Sequence, residues 1–249
     1  MTAAASGARP ATAGDRPGAD PARDGGPAMF DSIAGRYDFL NRVLSAGFDV
    51  GWRRRAIREL DPKPGNTILD LCTGTGDFAF AALAAPGTRV LGLDVAREMV
   101  KIGRGKVRKT PLEPRLRFGL GAAESLPLPD RSVDGATIAF GIRNVADRPR
   151  ALAELARVVR PGGRLVILEF GVPPNRLFRT GYFFYFRHIL PAIGGILSGN
   201  RGAYEYLPDS VRRFPDPGQF AAHCRRAGFS RVDIVRLTGG IVNLYKCTR

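Results

Sequence analysis

A chain of 249 residues, 44% of them hydrophobic, can bury one sizeable core and is too apolar to be disordered throughout. Its 38 Lys and Arg against 23 Asp and Glu give a formal net charge of +15, which favours anionic partners: nucleic acid, acidic lipid or acidic protein. The 3 cysteines, Cys72, Cys224 and Cys247, are too scattered for a disulfide framework or a zinc site, so a reduced compartment is expected and no metal is.

Residues 1–27 are rich in Ala, Gly, Pro, Arg and Asp and nearly free of large apolar side chains, and they lack the apolar run of a signal peptide. A disordered tail over 1–28 is expected, followed by one domain over 29–249. From Met29 the apolar spacing becomes helical and breaks near Gly47, which predicts helices over 30–45 and 49–60 packed over the first strand or its ligand mouth. The core then alternates. Strands are expected at 67–71, 89–94, 115–119, 133–139 and 164–170, with helices at 77–85, 96–107 and 147–159 between most of them. The segment Pro161-Gly162-Gly163 reads as a helix stop and a turn. Two last strands at 230–237 and 241–247, joined at Gly239-Gly240, read as a hairpin. Such alternation gives an α/β doubly wound sheet with its strand carboxyl ends, and hence its ligand, on one edge. The stretch 171–214 is different. Its run at 177–197 is aromatic and apolar but broken by Arg179, Arg187, His188, Pro191 and glycines, so it does not span a membrane. A substrate-covering or interfacial insertion and an ordinary core helix both fit it.

The chemistry concentrates in ILDLCTGTGD, 68–77, where a strand runs into a glycine-rich turn, and in RVLGLD, whose strand ends at Asp94. Gly74 and Gly76 allow close approach of backbone to a ligand, and an acid at the end of the second strand is placed to accept ribose hydroxyls. Gly74, Gly76 and Ala79 also spell a dinucleotide fingerprint. Asp77 opposes that reading, because it puts an anion where a pyrophosphate needs positive potential, and Asp70 adds negative charge nearby. A cationic nucleoside suits both acids, and S-adenosylmethionine is such a ligand. On the bland alternative, Asp77 is a helix cap and Asp70 a turn carboxylate. Cys72 lies in the loop without a neighbouring histidine and reads as packing rather than as a nucleophile.

Seven segments, FDSIAGRYDFLN, ILDLCTGTGD, ESLPLPDRSVD, FGIRNVAD, RVVRPGGRLVILEF, HILPAIG and YEYLPDSVRRFP, together resemble the menaquinone/ubiquinone biosynthesis C-methyltransferases over nearly all of 29–249. The resemblance implies the seven-stranded Rossmann-like methyltransferase fold with its last strand antiparallel. It implies donor contacts at Thr75, Asp94, Ala122 and Ala123, beside Asp70, Gly74 and Gly76. Two positions depart from the family pattern. Ala122 has no side chain for the adenine amino group, and Ala139 replaces a serine of some relatives, which leans away from the ubiquinone branch.

The implied reaction is methylation of a ring carbon in a reduced polyprenyl quinol, most of all demethylmenaquinol, since an oxidised quinone is too electron-poor to attack a sulfonium methyl. Arg143 and Asn144, in the turn after the fourth strand, are the candidates beside the methyl group, Arg143 to hold a phenolate or, blandly, to brace the loop. His188 is a candidate proton acceptor, and Tyr204, with Tyr37 and Tyr206, a candidate to line the ring or pass a proton through water. A prenylated substrate and a basic surface together imply peripheral attachment to the anionic inner face of the cytoplasmic membrane. Methylation of the benzoquinol intermediate of ubiquinone biosynthesis, O- or N-methylation of another molecule, a dinucleotide oxidoreductase and a basic nucleic-acid module are the rival readings. No RNA-binding motif appears, so no nucleic-acid partner is expected.

Overall fold

The computed structural model describes residues 26–189 and 201–249, the first five of the second stretch by backbone alone. The tail over 1–25, residues 190–200 of the apolar run and the Tyr204 side chain therefore lie outside what is described.

Seven strands form one sheet: β1 (Thr67–Leu71), β2 (Arg89–Asp94), β3 (Leu116–Leu120), β4 (Val133–Ala139), β5 (Val159–Phe170), β6 (Arg231–Leu237) and β7 (Val242–Thr248). Their spatial order is β3-β2-β1-β4-β5-β7-β6, and β7 runs antiparallel to both its neighbours. The central strands are apolar on both faces because helices cover both. Leu69, Leu71, Ile138, Leu165 and Ile167 enter one core, Ile68, Val90, Val166 and Leu168 the other. Chain order reverses between β1, which leads outward to β2 and β3, and β4, which leads to β5. Their diverging carboxyl ends leave a crevice at this switch point.

Two residues beside it adopt left-handed backbone without being glycine: Cys72 at φ 55° after β1 and Phe140 at φ 57° after β4. Such strain concentrates where a fold fixes a binding geometry. The next residue, Gly141, has no Cβ, and the Cys72 side chain fills that space. Cys72 is thus a packing residue, and burial pushes its thiol further from ionisation.

Several boundaries differ from the sequence expectation. Helical structure starts at Pro27, before Met29, because proline suits a first helical turn. The helix expected over 30–45 is three pieces, α1 (Pro27–Ile33), a 3-10 turn at Ala34–Arg36 and α2 (Tyr37–Leu44), with Gly35 weakening the helix at the break. The helix α3 (Phe48–Leu60) follows left-handed Gly47. Between strands lie α4 (Asp77–Ala82), α5 (Arg97–Val107) and α6 (Arg148–Val158). The Pro-Gly-Gly segment is not a free turn but the irregular first part of β5. The register slips opposite Val133 and Gly135, and a Cβ on Gly163 would sit 2.6 Å from the Asp134 carbonyl oxygen.

The stretch after β5 forms α7 (Arg176–Phe184), a π-helical turn at Tyr185–Ile189 and, beyond the undescribed residues, a helix at Arg201–Arg213. It is not a core helix of the sheet. Tyr182 and Phe186 pack on Met29, Ile33 and Leu40, so the N-terminal helices and this insertion form a common cover over the carboxyl edge. No helix among the described residues is long and apolar enough to cross a membrane.

Candidate active site

Two cavities meet under that cover. The first, of about 420 Å³, lies in the switch-point crevice. The glycine-rich loop enters it through Gly74, whose φ of 56° turns its amide onto Asp94. Asp94 Oδ2 accepts from Gly74 N at 2.8 Å, and Oδ1 from Ala96 N at 2.9 Å. A carboxylate has about four acceptor sites, so Asp94 keeps capacity for ribose hydroxyls. Burial raises its pKa, against the pull of the Ala96, Gly74 and Val95 amides. Ala122 and Ala123 line the same cavity. So do Glu124 and Asp147, with Arg150 the one basic residue among its described lining. In a chain of formal charge +15 this cleft is acidic. Acidity, free acceptor sites on Asp94 and glycine backbone suit a cationic nucleoside and oppose a pyrophosphate.

The other acids and threonines of the loop, Asp70, Thr73, Thr75 and Asp77, line a small cavity of about 30 Å³ that shares Tyr37, Cys72, Gly74, Ala139 and Phe140 with the cleft, and their side chains also hold the loop. Asp70 is 1% exposed and accepts from the hydroxyls of Thr73 at 2.6 Å and Thr137 at 2.8 Å. Burial, outweighing those bonds, pushes its pKa up to about 6. The buried Thr75 hydroxyl donates to Asp38 of α2. Gly76, at φ 96°, lies against the Phe118 ring, which leaves no room for a Cβ. Asp77 does not cap α4 with its side chain. It pairs instead with Arg53 at 3.6 Å and Lys106 at 3.5 Å, and Lys106 also holds Asp38 at 2.5 Å. The anion that opposed a dinucleotide is therefore neutralised within the protein, and the acidity of the cleft comes from Asp94, Glu124 and Asp147.

The second cavity, of about 350 Å³, is mostly aromatic and aliphatic. Trp52 anchors it, with its ring 6.0 Å from Phe140 and 6.4 Å from Phe170 and its Nε1 donating to Thr238 Oγ1 at 2.8 Å. Phe30, Tyr37 and Phe140 line both cavities and are the partition between them. Arg143 lines the apolar cavity and Asn144 the cleft. The Arg143 side chain is 8% exposed and is paired with the fully buried Glu169 at 2.9 Å. It also donates to the Phe140 carbonyl, reaches Ser210 Oγ at 3.3 Å and stacks 5.5 Å from the Phe170 ring centre. Its Nη2 protons meet no acceptor among the described residues. Arg143 is thus both the loop brace and a fixed donor, with its charge largely balanced by Glu169. Asn144 Oδ1 accepts from the Tyr206 hydroxyl at 3.0 Å, which ties the fourth-strand turn to the insertion.

His188 does not join this group. The π-helical turn leaves it exposed, 5.0 Å from the Phe184 ring and outside the described linings of both cavities, and a role for it as proton acceptor stands only as an expectation. Sequence reasoning also missed Asp49 and Arg53, a buried ion pair lining the apolar cavity, and Glu169 behind Arg143. The available signal was Asp49, Trp52 and Arg53 sharing one face of α3, since side chains at i, i+3 and i+4 are neighbours on a helix.

The family model described as the ubiE/COQ5 methyltransferase family matches residues 24–249. Among curated proteins, a demethylmenaquinone methyltransferase of Thermus thermophilus is 50% identical over 87% of this chain and 98% of its own length. One of Deinococcus radiodurans is 47% identical over 94% and 98%. A ubiquinone/menaquinone biosynthesis C-methyltransferase of Geobacter sulfurreducens is 47% identical over 87% and 85%. A SAM-dependent methyltransferase structure from Thermotoga maritima overlays with a TM-score of 0.62 at 20% identity, covering 89% of this chain and 98% of that one, and so shares the fold.

Replacing Asp94 by Ala removes the carboxylate whose unused acceptor sites face the cleft, and it is expected to weaken S-adenosylmethionine binding by at least about 100-fold, as calorimetry would measure. Asp70 predicts a pH signature. A carboxyl whose pKa is raised in the folded state favours folding below its unfolded value near 4, and that contribution is lost as the pH climbs through about 6. Between pH 4 and 7 the stability of Asp70→Asn relative to the ligand-free wild type should therefore improve by about 2–3 kcal/mol in urea unfolding. A difference independent of pH would contradict the assignment.

Proposed function

The chain belongs to the ubiE/COQ5 methyltransferase family, and we propose that it methylates a ring carbon of a reduced polyprenyl quinol, demethylmenaquinol above all, with S-adenosylmethionine as donor. The observation that carries this reading is the pairing of an acidic nucleoside cleft with an apolar aromatic cavity across one partition of Phe30, Tyr37 and Phe140. The first suits a cationic donor. The second suits a fused or substituted ring with a hydrocarbon tail.

Within this reading Asp94 receives the ribose, Ala122 and Ala123 border the base, and the Gly74 backbone faces the donor. When bound, the donor supplies a sulfonium methyl that an electron-rich carbon can displace. The chain must align the ring with that methyl and stabilise negative charge on the ring oxygen as the carbon attacks. The Nη2 protons of Arg143 are suited to the oxygen, and the Glu169 pair keeps the guanidinium in place. Asn144, tied to Tyr206, holds the junction of the two cavities. A role for Tyr204 stands only as a ring-lining proposal.

The prenyl tail needs an exit. Phe48 and Phe178 line the apolar cavity and are also exposed, and Phe39, Leu177 and Phe184 stand exposed on the same cover, with Arg42, Arg176 and Arg187 among them. An apolar rim with basic neighbours supports peripheral attachment at the anionic inner face of the cytoplasmic membrane.

Labelled donor incubated with demethylmenaquinone should transfer label when the quinone is chemically reduced and none when it is oxidised, as read by product mass. Methylation of the oxidised form, or none of either, would sink the proposal. In flotation assays the protein should rise with phosphatidylglycerol-containing vesicles at low salt, less so in about 0.5 M salt, where the screening length shrinks to several ångström. Equal flotation with neutral vesicles would remove the electrostatic part.

A further inference from the structure

The geometry points to Asp49 as the residue that receives a hydroxyl of the ring in the apolar cavity and thereby selects the reduced quinol over the oxidised quinone. The inference rests on the proposed quinol substrate and adds how the cavity distinguishes its two oxidation states. Asp49 is 3% exposed, and it is the one carboxylate among the described residues lining that cavity. No described histidine lines it. Glu169 is fully buried behind Arg143 and is not part of the lining.

Asp49 is held in place and held ionised. Its Oδ1 accepts from Ser45 Oγ at 2.9 Å and lies 3.4 Å from Arg42 Nη1, while Oδ2 takes the Arg53 guanidinium. Burial would raise its pKa, but Arg53, Ser45 and Arg42 together outweigh burial and lower it. An ionised carboxylate only accepts hydrogen bonds, at about four sites, and three are in use. The fourth suits a donor from within the cavity. A quinol offers O–H donors. A quinone offers only carbonyl lone pairs, which would face the carboxylate without a bond. A missing charge-assisted bond is worth roughly 10- to 100-fold in affinity. The selection also serves the reaction, because the reduced ring is the nucleophilic form.

Asp49 stands one helical turn from Trp52, and the sequence contains 1 Trp, so intrinsic fluorescence reports on this cavity directly. The experiment titrates the protein, without methyl donor, with a demethylmenaquinol of shortened prenyl tail kept reduced, and separately with its quinone. The wild type should bind the quinol at least about 10-fold more tightly. Asp49→Asn, which offers an amide donor to a carbonyl, should bring the ratio to near unity or invert it, while S-adenosylmethionine affinity stays within about threefold. Arg53 keeps Asp77 as a partner in that variant, and Asp49→Ser, which cannot hold a negative charge, should lose the preference as well. Equal affinity of the wild type for the two forms, or a preference that survives in Asp49→Asn, overturns the inference. Binding with the expected preference but without methyl transfer on adding donor overturns the proposed reaction and leaves Asp49's role intact. Failure of the wild type to bind either form overturns both.

Discussion

The site depends first on one buried carboxylate at the point where the sheet reverses. Asp70, next to last in β1, spends its two oxygens on hydroxyls of different elements, Thr73 in the glycine-rich loop and Thr137 in β4. It therefore sets how the loop leaves one switch strand relative to the other. Its burial is unfavourable, as the raised pKa shows, and the two hydroxyl bonds offset only part of that. A folded protein tolerates such a group where it fixes a geometry. Here the geometry is the turn that brings Gly74 N onto Asp94 and leaves Asp94 with unused acceptor sites.

From that loop a ladder of charges climbs into the cover. Thr75 reaches Asp38 of α2, Asp38 shares Lys106 with Asp77, and Asp77 shares Arg53 with Asp49. Donor loop and acceptor cavity are thus joined through α2, α3 and α5. The buried Asp49–Arg53 pair adds little net stability, since desolvation cancels much of the attraction, but breaking one partner is costly, and the more exposed pairs add little either. Their value is positional. They hold the N-terminal helices at a fixed height over the sheet edge, and the insertion packs on those helices through Tyr182 and Phe186.

The chemistry follows from what the two cavities exclude. The cleft is acidic in a strongly basic protein, so it attracts a cation and repels a phosphate. The neighbouring cavity is aromatic, and its few charges, Asp49, Arg53 and Arg143, are all paired. In such an apolar place a fixed donor like Arg143 acts more strongly on developing charge than in solvent. The partition of Phe30, Tyr37 and Phe140 is where ring and methyl would meet.

Much of this was legible in the chain. The alternating apolar runs located all seven strands to within a few residues apart from the early start of β5, and the loop motif with Asp94 located the cleft, because backbone periodicity and glycine conformations are local properties. The cover and its cavity were not legible in the same way. Trp52 meets Thr238 across 186 residues, Arg143 meets Glu169 across 26, and Asp77 proved to be neutralised by Arg53 and Lys106 rather than free. His188 looked reactive in sequence, yet the helical phase of its turn faces it outward. The sequence alone determined the sheet, the glycine loop and the acid, Asp94, at the end of its second strand. Only the tertiary structure decided which charges are paired and which side chains share the second cavity, because the energy of a charge or an aromatic ring depends on neighbours that folding brings from distant parts of the chain.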